Sequence, residues 1–136
     1  MVKVLQDIWI LSDSGIALFH RLFDESIDDQ LFGALMSALD SFAEELSQGG
    51  LSYFELKNKR FTVIKKHDLM FVATSDTKIK QKKVAEELEV IAQKFYTQYF
   101  LILENWDGEV THFLNFGKEI EDSLEMDVQK FHEAFF

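Results

Sequence analysis

Residues 8–19, with the sequence IWILSDSGIALF, decide the fold of this 136-residue chain. Residues 4–11 are rich in the β-branched and aromatic side chains that favour strands, and residues 16–23 have a similar character. Between them, residues 12–15 (SDSG) form a tight turn in which Gly15 can take a positive φ. The chain is therefore predicted to open with a β-hairpin.

Apolar residues at three- and four-residue spacing predict the helices that follow. Helices are expected over residues 29–47, 77–103 and 109–124, with a possible extra short helix at 127–135. The first is expected to bury the stripe Leu31, Leu35, Ala38, Leu39, Phe42 and Leu46, the second Val84, Leu88, Ile91, Phe95 and Ile102, and the third Val110, Phe113, Leu114, Gly117, Ile120 and Leu124.

Three short strands lie between the first two helices, at residues 51–57, 60–66 and 69–75, and two-residue connections join them as hairpins. The first and fifth strands, IWIL at 8–11 and LMFVA at 69–73, are apolar on both faces, which is typical of central, covered strands. Placing these two strands side by side gives the sheet order 2-1-5-4-3. The chain is thus predicted to be one α+β domain over residues 1–136, β-β-α-β-β-β-α-α, with a five-stranded, largely antiparallel sheet and helices on both faces.

This order of elements resembles the longin fold of the profilin-like group. Two stretches carry the resemblance, IWILSDSGIALF at 8–19 and KHDLMFVA at 66–73, and it extends over roughly residues 4–124. It implies a non-enzymatic domain that binds small GTPases, SNAREs, sorting partners or another longin domain at membranes. Within the 136 residues no SNARE-type coiled coil or GTPase domain accompanies it, so we expect an interaction subunit associated with small GTPases or vesicle trafficking. Homo- or heterodimers are open alternatives.

A PAS-like small-molecule sensor is the alternative function, because PAS-like domains share the 2-1-5-4-3 sheet. Those domains place several short helices between the second and third strands. Here one long helix is predicted at that place, and long helices follow the fifth strand, which counts against this alternative.

Composition narrows the function classes further. The formal net charge is −10 and there is no Cys, so nucleic-acid binding, a disulfide scaffold and thiol chemistry are not expected. Neither a signal peptide nor an apolar segment long enough to span a membrane is recognisable. We expect a cytoplasmic protein, with peripheral contact with a membrane surface as an open alternative.

Positive charge is concentrated in residues 57–83, which hold nine Lys or Arg and two acids, a balance of +7, whereas the rest of the chain balances at −17. These nine bases are a candidate patch for a protein partner or an anionic membrane: Lys57, Lys59, Arg60, Lys65, Lys66, Lys78, Lys80, Lys82 and Lys83. The antiparallel hairpin is expected to bring Lys57, Lys59 and Arg60 close to the start of the second helix. The alternative is a solvated face whose lysines protect the sheet edge from aggregation.

No constellation of residues points to catalysis or to a metal. The four His (His20, His67, His112 and His132) do not occur in a metal-binding arrangement, and Ser12 and Ser14 have no base nearby. We therefore expect no enzymatic activity, no cofactor and no metal.

Two clusters contain more aromatic residues than one apolar face of a helix can hold. The candidate aromatic interface comprises Tyr96, Tyr99, Phe100, Phe135 and Phe136. Burial of the long helix on two sides and a dimer or partner surface are both open explanations.

Overall fold

The structure, a computed structural model, describes residues 5–22, 28–46, 52–57 and 59–121. The strands are β1 (Ile8–Ser12), β2 (Ala17–Arg21), β3 (Tyr53–Leu56), β4 (Lys59–Lys66) and β5 (Leu69–Asp76). The helices are α1 (Asp29–Leu46), α2 (Gln81–Glu104) and a 3₁₀ helix (Val110–Glu119). The strands form one antiparallel sheet in the order β2-β1-β5-β4-β3, which confirms the predicted fold class.

Two tight turns set the register of the central strands. Gly15 has φ +91° in the β1–β2 turn, where its N–H donates to the carbonyl of Ser12. His67 and Asp68 both have positive φ in the β4–β5 turn. Two consecutive left-handed residues match the right-handed twist of a hairpin, so the turn joins its strands without distortion.

A core lies on each face of the sheet. On one face, α1 packs Phe32 and Met36 over Trp9, whose ring stacks on that of Phe32 at 4.0 Å between centroids. On the other face, α2 and the 3₁₀ helix cover Phe71 and neighbouring strand residues. Every residue of β5 from Leu69 to Ser75 is buried, and so are residues 8–11 of β1. Both strands are therefore central, as their two apolar faces predicted.

The predicted core stripe of α1 is wrong. Side chains of Leu31, Leu35, Phe42 and Leu46 are 54–73% exposed, Ala38 is exposed as well, and Leu39 is partly buried. The helix instead buries Phe32 and Met36, one residue further along. A shift of one residue turns a helix by about 100°, so a second apolar stripe faces the sheet and the predicted one lies beside it.

The later helices differ from prediction in their ends and type. The N–H of Lys78 binds the carboxylate of Asp76, which holds residues 77–80 as a turn, so α2 begins at Gln81 rather than at residue 77. The predicted third helix is a 3₁₀ helix with Phe113 and Phe116 buried and Leu114 71% exposed. Spacing of three between buried residues fits three residues per turn. The short helix predicted at 127–135 lies outside the described residues.

Candidate interaction surfaces

The outward stripe of α1 forms a continuous apolar ridge. We call it the α1 ridge: Leu31, Leu35, Ala38, Phe42 and Leu46. Spacings of four, three, four and four keep these residues in one row on an α-helix. Residues 29–46 contain no Lys or Arg, and Asp28 caps the helix by accepting from the N–H of Leu31 at 2.9 Å. The ridge is thus an apolar row on a helix whose charged residues are all acidic.

α1 is fixed to the sheet by a close contact between two glycines. A Cβ on Gly15 would lie 2.9 Å from the carbonyl oxygen of Gly33, and one on Gly33 would collide with the carbonyl oxygen of Gly15. Gln30 adds hydrogen bonds to both the N–H and the C=O of Ala17. The orientation of α1, and hence of the ridge, is therefore determined by backbone contact.

β3 offers a second apolar feature at the edge of the sheet. Among the described residues β3 pairs with β4 and with no other strand, and Tyr53 and Leu56 are 48% and 57% exposed. Phe54 stacks on Phe61 at 4.7 Å on the face covered by α1, and Phe61 lies 6.1 Å from Phe32. A row of rings thus connects α1 with this edge strand.

Two members of the predicted basic patch are used inside the fold. Arg60 is 9% exposed, and its guanidinium binds Glu55 as well as the carbonyls of Thr77 and Ile79. These bonds hold the β5–α2 connection against β4. Lys59 lies 3.5 Å from the buried carboxylate of Asp7.

Two further members lie at the opposite end of β4. The ammonium of Lys65 binds Glu44 at 2.6 Å and Asp40 at 3.1 Å on α1. Partial burial lowers the pKa of Lys65, but the hydrogen bonds to Glu44 and Asp40 outweigh this effect, so the pKa is raised above its usual value. Lys66 pairs with Glu89 of α2 at 2.6 Å. The nine bases therefore do not form one surface.

The remaining five bases gather where β3 and β5 end and α2 begins. We call them the lysine corner: Lys57, Lys78, Lys80, Lys82 and Lys83. All five are exposed, and within the described part of the chain none of them forms an ion pair. Leu56 pairs with Lys59, which in turn pairs with Asp76, and this register brings the end of β3 towards the start of α2. The predicted proximity to that helix start is present for Arg60, which binds the carbonyls of Thr77 and Ile79, and the register places Lys57 and Lys59 at the same end of the sheet.

The members of the candidate aromatic interface have separate environments. Tyr99 is 5% exposed and packs against Phe95, Phe113 and Phe116, so it belongs to the core rather than to a surface. Burial raises the pKa of its phenol, with a further contribution from the charge of Glu119, against a hydrogen bond from Gln98.

Tyr96 is half-buried and stacks on the ring of His67 at 3.5 Å, whereas Phe100 is 40% exposed. Phe135 and Phe136 lie outside the described residues.

An open cleft of about 640 Å³ separates the polar side of α1 from the β4–β5 turn. Asp40, Glu44 and Lys65 line it, and their charges are already paired with one another. Across residues 5–22, 28–46, 52–57 and 59–121, no group of three acidic or His side chains is placed to hold a metal. In the same residues, no helix is both long and apolar enough to cross a membrane.

The α1 ridge was not predicted as a surface, because its spacing matches that of a core stripe. The available signal was the second apolar stripe, Phe32, Met36, Leu39 and Ala43, which is offset by one residue on the same helix. Two adjacent stripes on one helix are more than one contact with a sheet can bury.

Comparison with solved structures supports the fold. The chain is similar to a Roadblock/LC7 domain from Streptomyces avermitilis, with a TM-score of 0.57 and 17% identity over 74% of this chain and 88% of that one. It is also similar to MglB from Myxococcus xanthus, with a TM-score of 0.53 and 10% identity over 68% of this chain and 85% of that one. None of the curated proteins searched matches the sequence.

The sequence itself identifies the family. Residues 6–103 match the family described as the first longin domain of FUZ, MON1 and HPS1. The matched segment includes the whole sheet and the α1 ridge and ends in the last turn of α2. This confirms the predicted longin-like domain: the chain belongs to the family of first longin domains of FUZ, MON1 and HPS1.

Proposed function

We propose that this chain is a non-enzymatic interaction module of the small-GTPase-associated or vesicle-trafficking type, which docks a protein partner through the α1 ridge. The observation that carries the proposal is the exposure of Leu31, Leu35, Phe42 and Leu46 in one row. The class of partner comes from the family, since longin-like domains bind small GTPases and trafficking proteins.

The energetics favour a docking role for the ridge. Full burial of one large apolar side chain contributes about 1.5–3 kcal/mol. Four such side chains in a row offer several kcal/mol to a partner, which would offset part of the entropic cost of association. Scattered apolar side chains are ordinary on a protein surface, whereas a contiguous row marks an interaction site.

The rigidity of α1 favours the same role. The contact between Gly15 and Gly33 and the bonds of Gln30 to Ala17 fix the helix on the sheet before a partner arrives. A preformed surface loses little conformational entropy on binding, so more of the contact energy appears as affinity. We expect binding without turnover.

A pull-down from native lysate tests the proposal, with parallel samples containing GDP or a non-hydrolysable GTP analogue. The wild-type chain should capture a small GTPase, identified by mass spectrometry, in one nucleotide state. The variant Leu35→Glu should lose the capture, because a carboxylate in the apolar contact must be desolvated without a partner.

Ser41→Glu is the matched control, since Ser41 is also exposed on α1 but lies about 100° round the helix from Phe42, where it lines the cleft with Asp40 and Glu44. It adds the same charge and should retain the GTPase. If neither nucleotide state captures a small GTPase, the partner class is wrong. Equal capture by Leu35→Glu and wild type would remove the ridge from the interface.

Light scattering during size-exclusion chromatography separates a second copy of the chain from a different partner. A dimer that becomes monomeric in Leu35→Glu would mean that the ridge binds another copy. The PAS-like alternative shares the observed sheet order, but in the part described between β2 and β3 the helix is the 18-residue α1 rather than several short helices, which counts against it. Native mass spectrometry for a co-purifying small molecule is its test.

A further inference from the structure

Docking through the α1 ridge, as proposed above, does not involve the lysine corner. Of the nine bases between residues 57 and 83, four are engaged by acids or carbonyls of the fold. The other five lie at the end of the sheet where β3 and β5 end and α2 begins. We propose that this lysine corner is a contact site for an anionic membrane surface, separate from the α1 ridge.

Three acids of the sheet and its connections next to the lysine corner are already engaged. Asp76 accepts the N–H of Lys78, Glu55 binds Arg60, and Asp7 binds Thr74 and Lys59. The first turn of α2 contains no acid, although a helix N-terminus favours negative charge over positive. Glu86 and Glu87 lie one turn further along α2 and reduce the local excess, but among the described residues neither Lys82 nor Lys83 forms an ion pair. The corner therefore keeps a net positive charge of five lysines against these two acids.

The position of the corner favours a lipid surface over a ligand that needs a pocket. The cleft beside α1 contains none of the five lysines, and neither does a second open cleft of about 470 Å³ between α2 and the 3₁₀ helix. The lysines come from three segments, namely the end of β3, the β5–α2 connection and the first turn of α2. Leu56, 57% exposed, lies directly beside Lys57 and supplies an apolar side chain for the interface. Exposed ammonium groups with a neighbouring apolar residue need only a flat anionic surface to bind.

The charge of the whole chain argues against nucleic acid. A net charge of −10 repels an extended polyanion that would wrap around the molecule. A membrane approached from the corner meets mainly the lysines, since salt screens the remaining acidic surface beyond a Debye length of about 8–10 Å. An anionic membrane is thus the occupant that the charge distribution fits best.

Vesicle co-sedimentation with the whole chain tests the proposal. The probes are phosphatidylcholine vesicles with and without phosphatidylserine. The wild type should bind only the phosphatidylserine vesicles, and the binding should disappear in about 1 M salt, where the Debye length is about 3 Å. The variant Lys80→Gln/Lys82→Gln/Lys83→Gln should lower the partition coefficient on the order of a hundredfold, because each lysine near the surface contributes roughly five- to tenfold.

The matched control is Lys66→Gln/Lys94→Gln/Lys118→Gln, which changes the net charge by the same amount away from the corner. It should keep binding within a few fold of the wild type, and circular dichroism should show both variants folded. Absence of wild-type binding to phosphatidylserine, or an equal loss in the control, would overturn the proposal.

The lipid proposal and the proposed function fail independently. The corner variant should still capture the small GTPase, and Leu35→Glu should still bind the vesicles. If the corner variant instead loses the GTPase and keeps the vesicles, the corner is part of the protein interface and the membrane proposal is wrong.

Discussion

Replacing Gly33 with alanine tests how α1 is held on the sheet. A Cβ at Gly33 would collide with the carbonyl oxygen of Gly15 and lie 3.5 Å from the side chain of Leu11. The obstructing atom belongs to the backbone of a turn in which Gly15 has φ +91°, so it cannot rotate away as a flexible side chain would. We therefore expect Gly33→Ala to displace α1 from β1 and β2.

The size of the effect follows from the packing beneath the helix. A gap of about 1 Å removes between a quarter and a half of the dispersion energy of a contact. Displacement of α1 would open such a gap between the helix and the residues around Trp9. Overpacked cores typically lose about 1–3 kcal/mol, and the collision with a backbone atom places this variant at the upper end. The higher helix propensity of alanine offsets about 1 kcal/mol of this destabilisation. The expected net loss is about 2 kcal/mol, which lowers Tm by roughly 5–10 °C in a domain of this size.

Urea unfolding at neutral pH measures this loss, and the near-ultraviolet circular dichroism of Trp9 reports the displaced ring of Phe32. Gly117→Ala is the control, since its Cβ would meet Phe19 at an ordinary 3.7 Å, so this variant should be as stable as the wild type. If Gly33→Ala is as stable as the wild type or more so, the backbone of α1 at Gly33 is not in close contact with the β1–β2 turn at Gly15.

Three further predictions concern stability. Thr74→Val should cost about 2–3 kcal/mol in urea unfolding, because the hydroxyl of Thr74 donates at 2.6 Å to the buried carboxylate of Asp7, while Thr74→Ser should retain most of the stability. Asp28→Ala should lower the unfolding free energy by about 1 kcal/mol through loss of the cap on Leu31, and a shift below about 0.3 kcal/mol would show that this cap is not formed. Folding raises the pKa of Tyr99 above its value of 10.0 in the unfolded chain. The neutral phenol therefore contributes fully to stability below pH 10, and this contribution is lost as the pH rises through the raised pKa. Thermal unfolding at pH 8 and pH 11 should therefore show a larger loss for the wild type than for Tyr99→Phe, and equal losses would refute the assigned cause.

The sheet was predictable because its signals are local. The apolar character of residues 8–11 and 69–73 on both faces requires central strands, and the two-residue turn at His67 and Asp68 leaves little freedom in register. The five strands and their order follow from these features.

The packing of α1 could not be predicted in the same way. The helix carries two apolar stripes one residue apart, and periodicity alone does not say which of them faces the sheet. The choice depends on the contact of Gly33 with Gly15 and on the stacking of Phe32 on Trp9, which join residues distant in sequence. Periodicity alone therefore placed the residues of the α1 ridge in the core.

The division of the basic residues also depends on distant contacts. Lys65 meets Asp40 and Glu44 on α1, and Lys66 meets Glu89 on α2, across 21 to 25 positions of sequence. A count of charges locates the excess in residues 57–83 but does not identify the five lysines left without an ion pair among the described residues. Tyr99 is a similar case, because its burial depends on the placement of the 3₁₀ helix.

Site-specific photo-crosslinking tests the α1 ridge most directly. A benzoylphenylalanine at position 42 replaces an exposed Phe of the ridge, and the same residue at position 41 lies about 100° round the helix, beside the cleft lined by Asp40 and Glu44. The account predicts adducts with a small GTPase from position 42 in one nucleotide state and none from position 41. Adducts from position 41 alone, or captured GTPase without any adduct at position 42, would contradict the assignment of the ridge as the docking surface.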